Sequence, residues 1–210
     1  MAEHTQWELV FQNNPHLFLD PLPGVTEFTQ RVLDRGLTSA LDIGCGAGRH
    51  VVHMARRGLR VTGMDNAPTA LRLTSQWLEH EHLAAGLALA DMRTPFPFES
   101  GAFDVVLSTQ VIHHALLATV IGTAREIERI VRPQGMMLLS IPARRPTMTE
   151  SADHVLLEPN TYAPTDGEEK GLPHHFFTPE EFRDIFPNFD VLDLRLERDG
   201  GIIVLEAIRK

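Results

Sequence analysis

The sequence predicts an α/β fold, with βαβ units building a mostly parallel sheet covered by helices on both faces. Three observations carry that expectation. Short apolar runs alternate with helix-length amphipathic stretches between residues 38 and 141. A glycine-rich loop ends the first run and opens the next helix. An Asp199-Gly200-Gly201 turn separates two closing apolar runs. Crossover connections of this length bury both faces of a sheet, so the strands read as short, nearly continuous apolar segments.

The elements follow in order. Residues before Leu37 are expected to be helical, with Phe28, Val32 and Leu33 on one face, after the turn Asp20-Pro21-Leu22-Pro23-Gly24; residues 1–36 form an N-terminal helical cap. Thr38 to Ile43 reads as the first strand. His50 to Arg57 has helical spacing through Val51, Val52, Met54 and Ala55, and Leu59 to Met64 is the second strand. Pro68 suits a helix's first turn, ahead of a stripe of Ala70, Leu71, Leu73, Trp77 and Leu78. Leu87 to Ala90 and Phe103 to Ser108 are the third and fourth strands. Val120 to Val131 is an amphipathic helix with Arg125, Glu126, Glu128 and Arg129 on its wet side, and Gly135 to Ile141 is the fifth strand.

An irregular stretch with five prolines, Pro142 to His175, comes next, and residues 142–177 are expected to form an insertion or lid over the active site. Thr178 with Glu181 makes a capping box for a further helix. Asp190 to Leu196 and Gly201 to Ile208 close the chain as a hairpin, which makes the final strand antiparallel.

Composition bounds the function. The 210 residues suit one domain, and 43% hydrophobic with 22% charged residues is globular composition. Cys45 is the only cysteine, which excludes an intrachain disulfide and a four-cysteine zinc site. Nineteen basic against 28 acidic residues give a net charge of −9, unsuited to attracting a nucleic acid or an anionic membrane. No apolar run approaches the roughly 20 residues of a membrane span. Met1 to Glu8 shows neither a basic start nor an apolar signal core, so the cytoplasm is the expected location.

The segment richest in chemistry is Leu41-Asp42-Ile43-Gly44-Cys45-Gly46-Ala47-Gly48-Arg49-His50. Its place between strand and helix turns amides and a helix N-terminus toward a ligand, and its glycines admit ligand atoms close to the main chain. Arg49 stands where a dinucleotide fingerprint has its third glycine or alanine. Asp42 ends the strand, where a carboxylate repels a pyrophosphate but attracts an ammonium. S-adenosylmethionine, which carries an ammonium and a sulfonium and no phosphate, is therefore favoured over NAD. Asp65 ends the second strand 23 residues on, near the spacing of a carboxylate that takes ribose hydroxyls. Asp91 and Met92 follow the third strand, where a carboxylate accepts from an adenine amine and a thioether packs on the ring. One acidic residue ending a strand is ordinarily a turn former or helix cap; three at consecutive strand ends beside a glycine loop point to a ligand.

With these residues, Leu37 to Ile141 resembles a class I S-adenosylmethionine-dependent methyltransferase. Leu41 to Gly48, Asp65, Asp91-Met92 with Pro95-Phe96, and Phe103-Asp104-Val105-Val106 carry the likeness. Val131-Arg132-Pro133-Gln134-Gly135 is similar to the family's Leu-Lys-Pro-Gly-Gly turn, with Gln134 replacing a glycine. The resemblance implies a Rossmann-like seven-stranded sheet of order 3-2-1-4-5-7-6 with strand seven antiparallel. It implies that Gly44 and Gly46 pass close to the methionine part of the cofactor, Asp65 and the adjacent Asn66 hold the ribose, and Asp91 and Met92 bracket the adenine. By the same resemblance Gln110 offers a main-chain carbonyl to the ammonium. Cys45, inside the loop, has no evident base partner and reads as a small loop filler in the cofactor site.

Methyl transfer is an in-line displacement, so the protein's main task is to hold the acceptor about 3 Å from the methyl carbon and away from water. Two histidine pairs stand out, His113-His114 beyond strand four and His174-His175 ahead of Phe176-Phe177. The run His174 to Thr178 resembles the end of the insertion in bacterial small-molecule methyltransferases of the tellurite-resistance type. His114, His174 or His175 is a candidate to polarise or deprotonate the acceptor; the plainer reading has them capping loops or orienting the lid. Trp7, Phe11, His113, Tyr162 and Phe176 are candidates to line the acceptor site, and aromatic faces near a sulfonium add cation–π attraction. No metal is expected, because histidines adjacent in sequence rarely chelate one ion and no third ligand is placed by spacing.

The leading expectation is an enzyme that methylates a small molecule. Strand four ends Ser108-Thr109-Gln110 rather than with an Asn-Pro-Pro-Tyr motif of nucleic-acid amino methyltransferases, and no Pro-Cys pair offers a thiol for pyrimidine carbon methylation. The alternatives are an NAD-linked oxidoreductase, disfavoured by Asp42 and the glycine spacing, and a catalytically silent cofactor-binding module.

Overall fold

The computed structural model describes residues 6–15, 17–144 and 153–210. Two helices, α1 (Gln6–Asn13) and α2 (Pro23–Asp34), precede the alternating region. There β1 (Ser39–Ile43), α3 (Arg49–Arg56), β2 (Arg60–Asp65), α4 (Pro68–His80), β3 (Gly86–Leu89), β4 (Phe103–Thr109), α5 (Leu117–Ile130) and β5 (Val131–Pro142) follow one another. Three short strands, β6 (His154–Glu158), β7 (Thr161–Pro164) and β8 (His174–His175), lead to α6 (Pro179–Asp184) and the closing strands β9 (Phe189–Glu197) and β10 (Ile202–Arg209).

Seven strands form one sheet of order β3-β2-β1-β4-β5-β10-β9. β10 runs antiparallel to both neighbours, and the other pairings in that sheet are parallel. Counting this sheet's strands alone gives the expected order; the labels differ because β6, β7 and β8 intervene in the chain. The hairpin turn fits its chemistry, since Arg198, Asp199 and Gly200 all have positive φ.

Period-two alternation decides which side chain goes where. On β1, Leu41 and Ile43 join Val106, Met137, Leu139, Ile203 and Leu205 in the core under α5 and α6. Ala40 faces the opposite side, with Val105, Leu107, Leu138 and residues of α2, α3 and α4. Asp42 is in phase with Ala40, so its side chain points under α3 rather than along the sheet edge.

One expectation is corrected. The stretch after β5 is not irregular throughout: β6, β7 and β8 form a second, three-stranded antiparallel sheet. Short two- to five-residue strands among prolines carry too little alternation to be read from sequence. Pro146, one of the five prolines of that stretch, lies outside the described residues. The fifth strand also begins earlier than expected, at Val131, and Gln134 takes a left-handed φ of 63° ahead of Gly135. A Cβ on Gly135 would lie 2.7 Å from the Asp104 carbonyl oxygen, which explains the glycine. No helix among the described residues is long and apolar enough to cross a membrane.

Candidate active site

The site begins where β1 stops. Gly44, Gly46 and Gly48 all adopt left-handed φ, at 67°, 56° and 94°. The amides of Gly44 and Cys45 both donate to the Met64 carbonyl (2.7 and 3.1 Å), which pins the loop to the end of β2. At Gly44 a Cβ would lie 2.4 Å from Val111 Cγ2, so only glycine fits. Gly48 caps α3 without a side-chain hydrogen bond, leaving the first-turn amides open to a ligand.

Asp65 holds this loop from below. Its Oδ2 accepts from the Gly46 amide (2.8 Å) and its Oδ1 from the Ala67 amide (2.9 Å). Burial raises its pKa, against the pull of these amides. The Asn66 amide bonds the same carboxylate, so three backbone donors hold it and one of its four lone pairs is left for a ligand hydroxyl. Asn66 lines the same cavity and hydrogen-bonds Asp91. Asp91 is gripped by Arg93 through Nε (2.9 Å) and Nη2 (2.5 Å); burial alone would raise its pKa, but Arg93 and Asn66 more than offset this and lower it. Met92 packs partly buried against the main core and lines the cavity beside them.

Asp42 behaves differently from the simple expectation. It does not line the cavity but lies beneath the loop, 1% exposed, with Oδ2 lacking any hydrogen-bond partner. The nearest imidazole nitrogen, His50 Nδ1, is 3.9 Å away. Burial pushes its pKa up to about 8, against the attraction of Arg49. Any influence on a cofactor ammonium is therefore through the field, not by contact. Cys45 is buried and burial raises its thiol pKa, which suits a loop filler. Gln110 sits past β4 in a left-handed conformation (φ 58°), held by its amide to the Ser140 carbonyl at 2.8 Å.

Helix α1 roofs the loop. A Cβ on Gly46 would meet Phe11 Cζ at 3.0 Å, and Trp7 lies tilted between Phe11 (6.1 Å between centroids) and His114 (5.5 Å). Buried Glu8 anchors the helix by accepting from the Thr69 amide (2.9 Å) and hydroxyl (2.7 Å) at the start of α4. Gln6 and Asn14 then reach across to the Lys170 carbonyl (2.6 Å) and Glu168 (2.9 Å) of the insertion.

The histidines gather at the far end. The His175 amide donates to the His113 carbonyl (2.8 Å), and this one bond brings the two pairs together. His113, His114 and His174 are buried, and one ring nitrogen of each lies within 4.8 Å of the others. Spacing places no third ligand beside the adjacent pair; the fold brings His174 there from a distant strand. Burial and the neighbouring rings lower the pKa of His113 far below the usual value and that of His114 to about 3. His175 faces away from the cavity, with Nδ1 2.6 Å from Thr161 Oγ1 and its ring against Phe177. Tyr162 also lies outside the cavity lining and packs edge-on against Phe176, which does line it.

A single cavity of about 740 Å³ joins these parts, from Gly44, Asp65 and Asp91 to Trp7, His114 and His174. That volume falls in the range of about 300–1,000 Å³ usual for small-molecule sites. Sequence reasoning missed Glu169, Arg49 and Glu8. Glu169 lies in a polar, glycine-bounded stretch that reads only as a turn, and Glu8 reads as an exposed helical acid; Arg49 was noted only as a departure from the glycine fingerprint.

Residues 41–139 match the family described as "Methyltransferase domain". The chain is 35% identical over 97 residues to a ubiquinone biosynthesis O-methyltransferase of Methylocella silvestris, covering 46% of this chain and 37% of that protein. It is 37% identical over 97 residues to the 18S rRNA (guanine-N(7))-methyltransferase bud23 of Schizosaccharomyces pombe, covering 44% and 35%. The chain thus spans little more than a third of the length of either relative. Its fold is that of the Burkholderia thailandensis 1,6-didemethyltoxoflavin-N1-methyltransferase, solved with 1,6-didemethyltoxoflavin and S-adenosylhomocysteine bound (TM-score 0.69, 17% identity, 98% of this chain and 87% of that one).

Proposed function

We propose that this chain, whose residues 41–139 match the family described as "Methyltransferase domain", transfers the methyl group of S-adenosylmethionine to a small-molecule acceptor. The observation that carries the reading is the one continuous cavity, with a nucleoside-type cradle at one end and a histidine cluster at the other. When bound, the cofactor supplies a methyl group already activated on a sulfonium. Gly44 and Gly46 leave room beside the main chain for its methionine part, Asp65 offers its remaining lone pair to a ribose hydroxyl, and Asn66, Asp91 and Met92 take the adenine end. The Asp42 carboxyl beneath the loop, its Oδ2 without a partner, favours a cation above it, and Gln110 lines the same cavity in its left-handed conformation.

Trp7, Phe11 and Phe176 wall the acceptor end against water, which strengthens polar contacts inside. His114, His174 and Glu169 line the acceptor end together, the carboxylate lying against Nε2 of both rings. A pKa near 3 makes His114 a hydrogen-bond acceptor that orients the incoming group rather than a base strong enough to strip a hydroxyl. The roof of α1, the crossing insertion and the net charge of −9 support a small acceptor over RNA, although one relative is named for an rRNA reaction. The His174 to Thr178 run, similar to the tellurite-resistance type, favours the bacterial small-molecule branch.

Calorimetry with S-adenosylhomocysteine and incubation with methyl-labelled cofactor test the proposal, offering phenols, thiols, amines and RNA as acceptors. Saturable binding and label in a small product are expected. Failure to bind, or label on RNA alone, would overturn it.

A further inference from the structure

We propose that His113, His114 and His174, together with Glu169, form a binding site for one first-row divalent cation, with zinc best suited to the donors. Glu169 sets one carboxylate oxygen 3.0 Å from His174 Nε2 and the other 3.8 Å from His114 Nε2. The three rings pack with centroids 3.9, 4.7 and 5.5 Å apart. Three imidazoles, or two with a carboxylate, are the sets zinc takes in open catalytic sites.

Two details of hydrogen bonding argue for a cation. His113 Nδ1 is buried without a partner, where a buried ring nitrogen ordinarily has one. His174 Nδ1 lies 2.8 Å from the Leu172 carbonyl, which only accepts, so Nδ1 carries the proton. In a neutral ring Nε2 is then a lone pair, yet it faces the Glu169 carboxylate at 3.0 Å. Two acceptors at that separation repel unless a positive charge, a proton or a metal ion, sits with them. A backbone carbonyl fixing the Nδ1–H tautomer so that Nε2 points inward is the usual support of a metal-bound histidine.

The geometry is within reach of closure. Zinc–nitrogen bonds of about 2.0–2.1 Å hold tetrahedral neighbours about 3.3 Å apart. The widest nitrogen pair, at up to 4.8 Å, must therefore close by about 1.5 Å. His174 and Glu169 come from the insertion and His113 and His114 from the turn after β4, so the ion draws the insertion onto the sheet edge.

The role of the site rests on the methyltransferase reading; its existence does not. At the acceptor end, an acceptor X–H displaces the Glu169 carboxylate from the cation, which lowers its pKa, and its proton passes to that carboxylate as the X–metal bond forms. The lone pair on X then bonds the methyl carbon while the C–S bond breaks and its electrons return to sulfur. This supplies the activation that a histidine of low basicity cannot.

The full chain, stripped by chelator and exchanged, is titrated with Zn²⁺ by calorimetry and with Co²⁺ by visible absorption, with S-adenosylhomocysteine titrated in parallel. One ion per chain and the ligand-field bands of four-coordinate Co²⁺ are expected. His114→Ala and His174→Ala should each weaken binding by about 10-fold or more, Glu169→Gln should weaken it less, and replacing exposed His80 by alanine should change nothing. Circular dichroism confirms that each variant folds. Absence of one-equivalent binding to the wild-type chain, or undiminished binding in both histidine variants, overturns the site. Metal binding without S-adenosylhomocysteine binding defeats the methyltransferase reading and leaves the site standing; the converse defeats the site alone.

Discussion

Asp42→Asn is the most informative substitution. Asp42 is 1% exposed, its Oδ2 has no partner, and its pKa is raised from 3.8 to about 8 by burial. Between those two values the folded chain keeps a proton that the unfolded chain has released, so stability falls as pH rises. Each pH unit costs about 1.4 kcal/mol, so at pH 7 the cost is about 4 kcal/mol, a large share of a typical domain's 5–15 kcal/mol. Asparagine removes this pH-dependent cost. Its amide, buried in the same place, carries a penalty of about 1–3 kcal/mol, but one that does not change with pH. Urea unfolding of both proteins from pH 5 to pH 9 reads the difference. The stability gap should move in favour of asparagine by about 1.4 kcal/mol per pH unit and level off above pH 8. Parallel pH curves for the two proteins would refute the reasoning. Affinity for S-adenosylhomocysteine should fall in the same variant, because a carboxyl kept at such cost is there for charge rather than packing. Wild-type binding at pH 7 should also release a proton, as an ammonium nearby re-ionises Asp42.

Two further outcomes follow from the loop and its roof. Gly44→Ala combines a left-handed φ, about 1–2 kcal/mol for a residue with a Cβ, with overpacking of about 1–3 kcal/mol against Val111. Adding Val111→Ala removes the two Cγ atoms at 2.4 and 2.5 Å and should recover part of the loss in urea unfolding; strict additivity of the two changes would sink the steric account. Glu8→Ala deletes two hydrogen bonds at the start of α4 and should cost about 1–2 kcal/mol, lowering Tm by about 2–8 °C, with faster proteolysis of α1. An unchanged Tm would show that α1 is held by its aromatic contacts and its bond to the insertion without help from Glu8.

Legibility in the sequence tracked locality. The βαβ alternation, the glycine loop, the capping box at Thr178 and the closing hairpin depend on residues a few positions apart, and each has its place in the fold. Asp65 ends the second strand and Asp91 follows the third, because turn chemistry is local too. What stayed hidden depends on pairing between distant segments. Nothing near His174 announces that the next residue's amide will bond the His113 carbonyl, and so nothing announces a three-histidine cluster. His175 was indistinguishable from His174 until strand alternation turned it toward Thr161. Asp42 shows the reverse error: its position at the loop was plain, but a one-residue phase decides whether it faces ligand or helix.

The hydrogen bonds from Gln6 and Asn14 to residues 170 and 168 tie together two stretches more than 150 residues apart in sequence. Neither can swing away alone without breaking its hold on the other. The two bonds thus make a two-handed latch between roof and insertion, and under the proposed function both hands must let go for the cavity to open there. On that same proposal, a chain with the latch severed should exchange its nucleoside faster yet admit solvent while doing so, trading throughput against leakage.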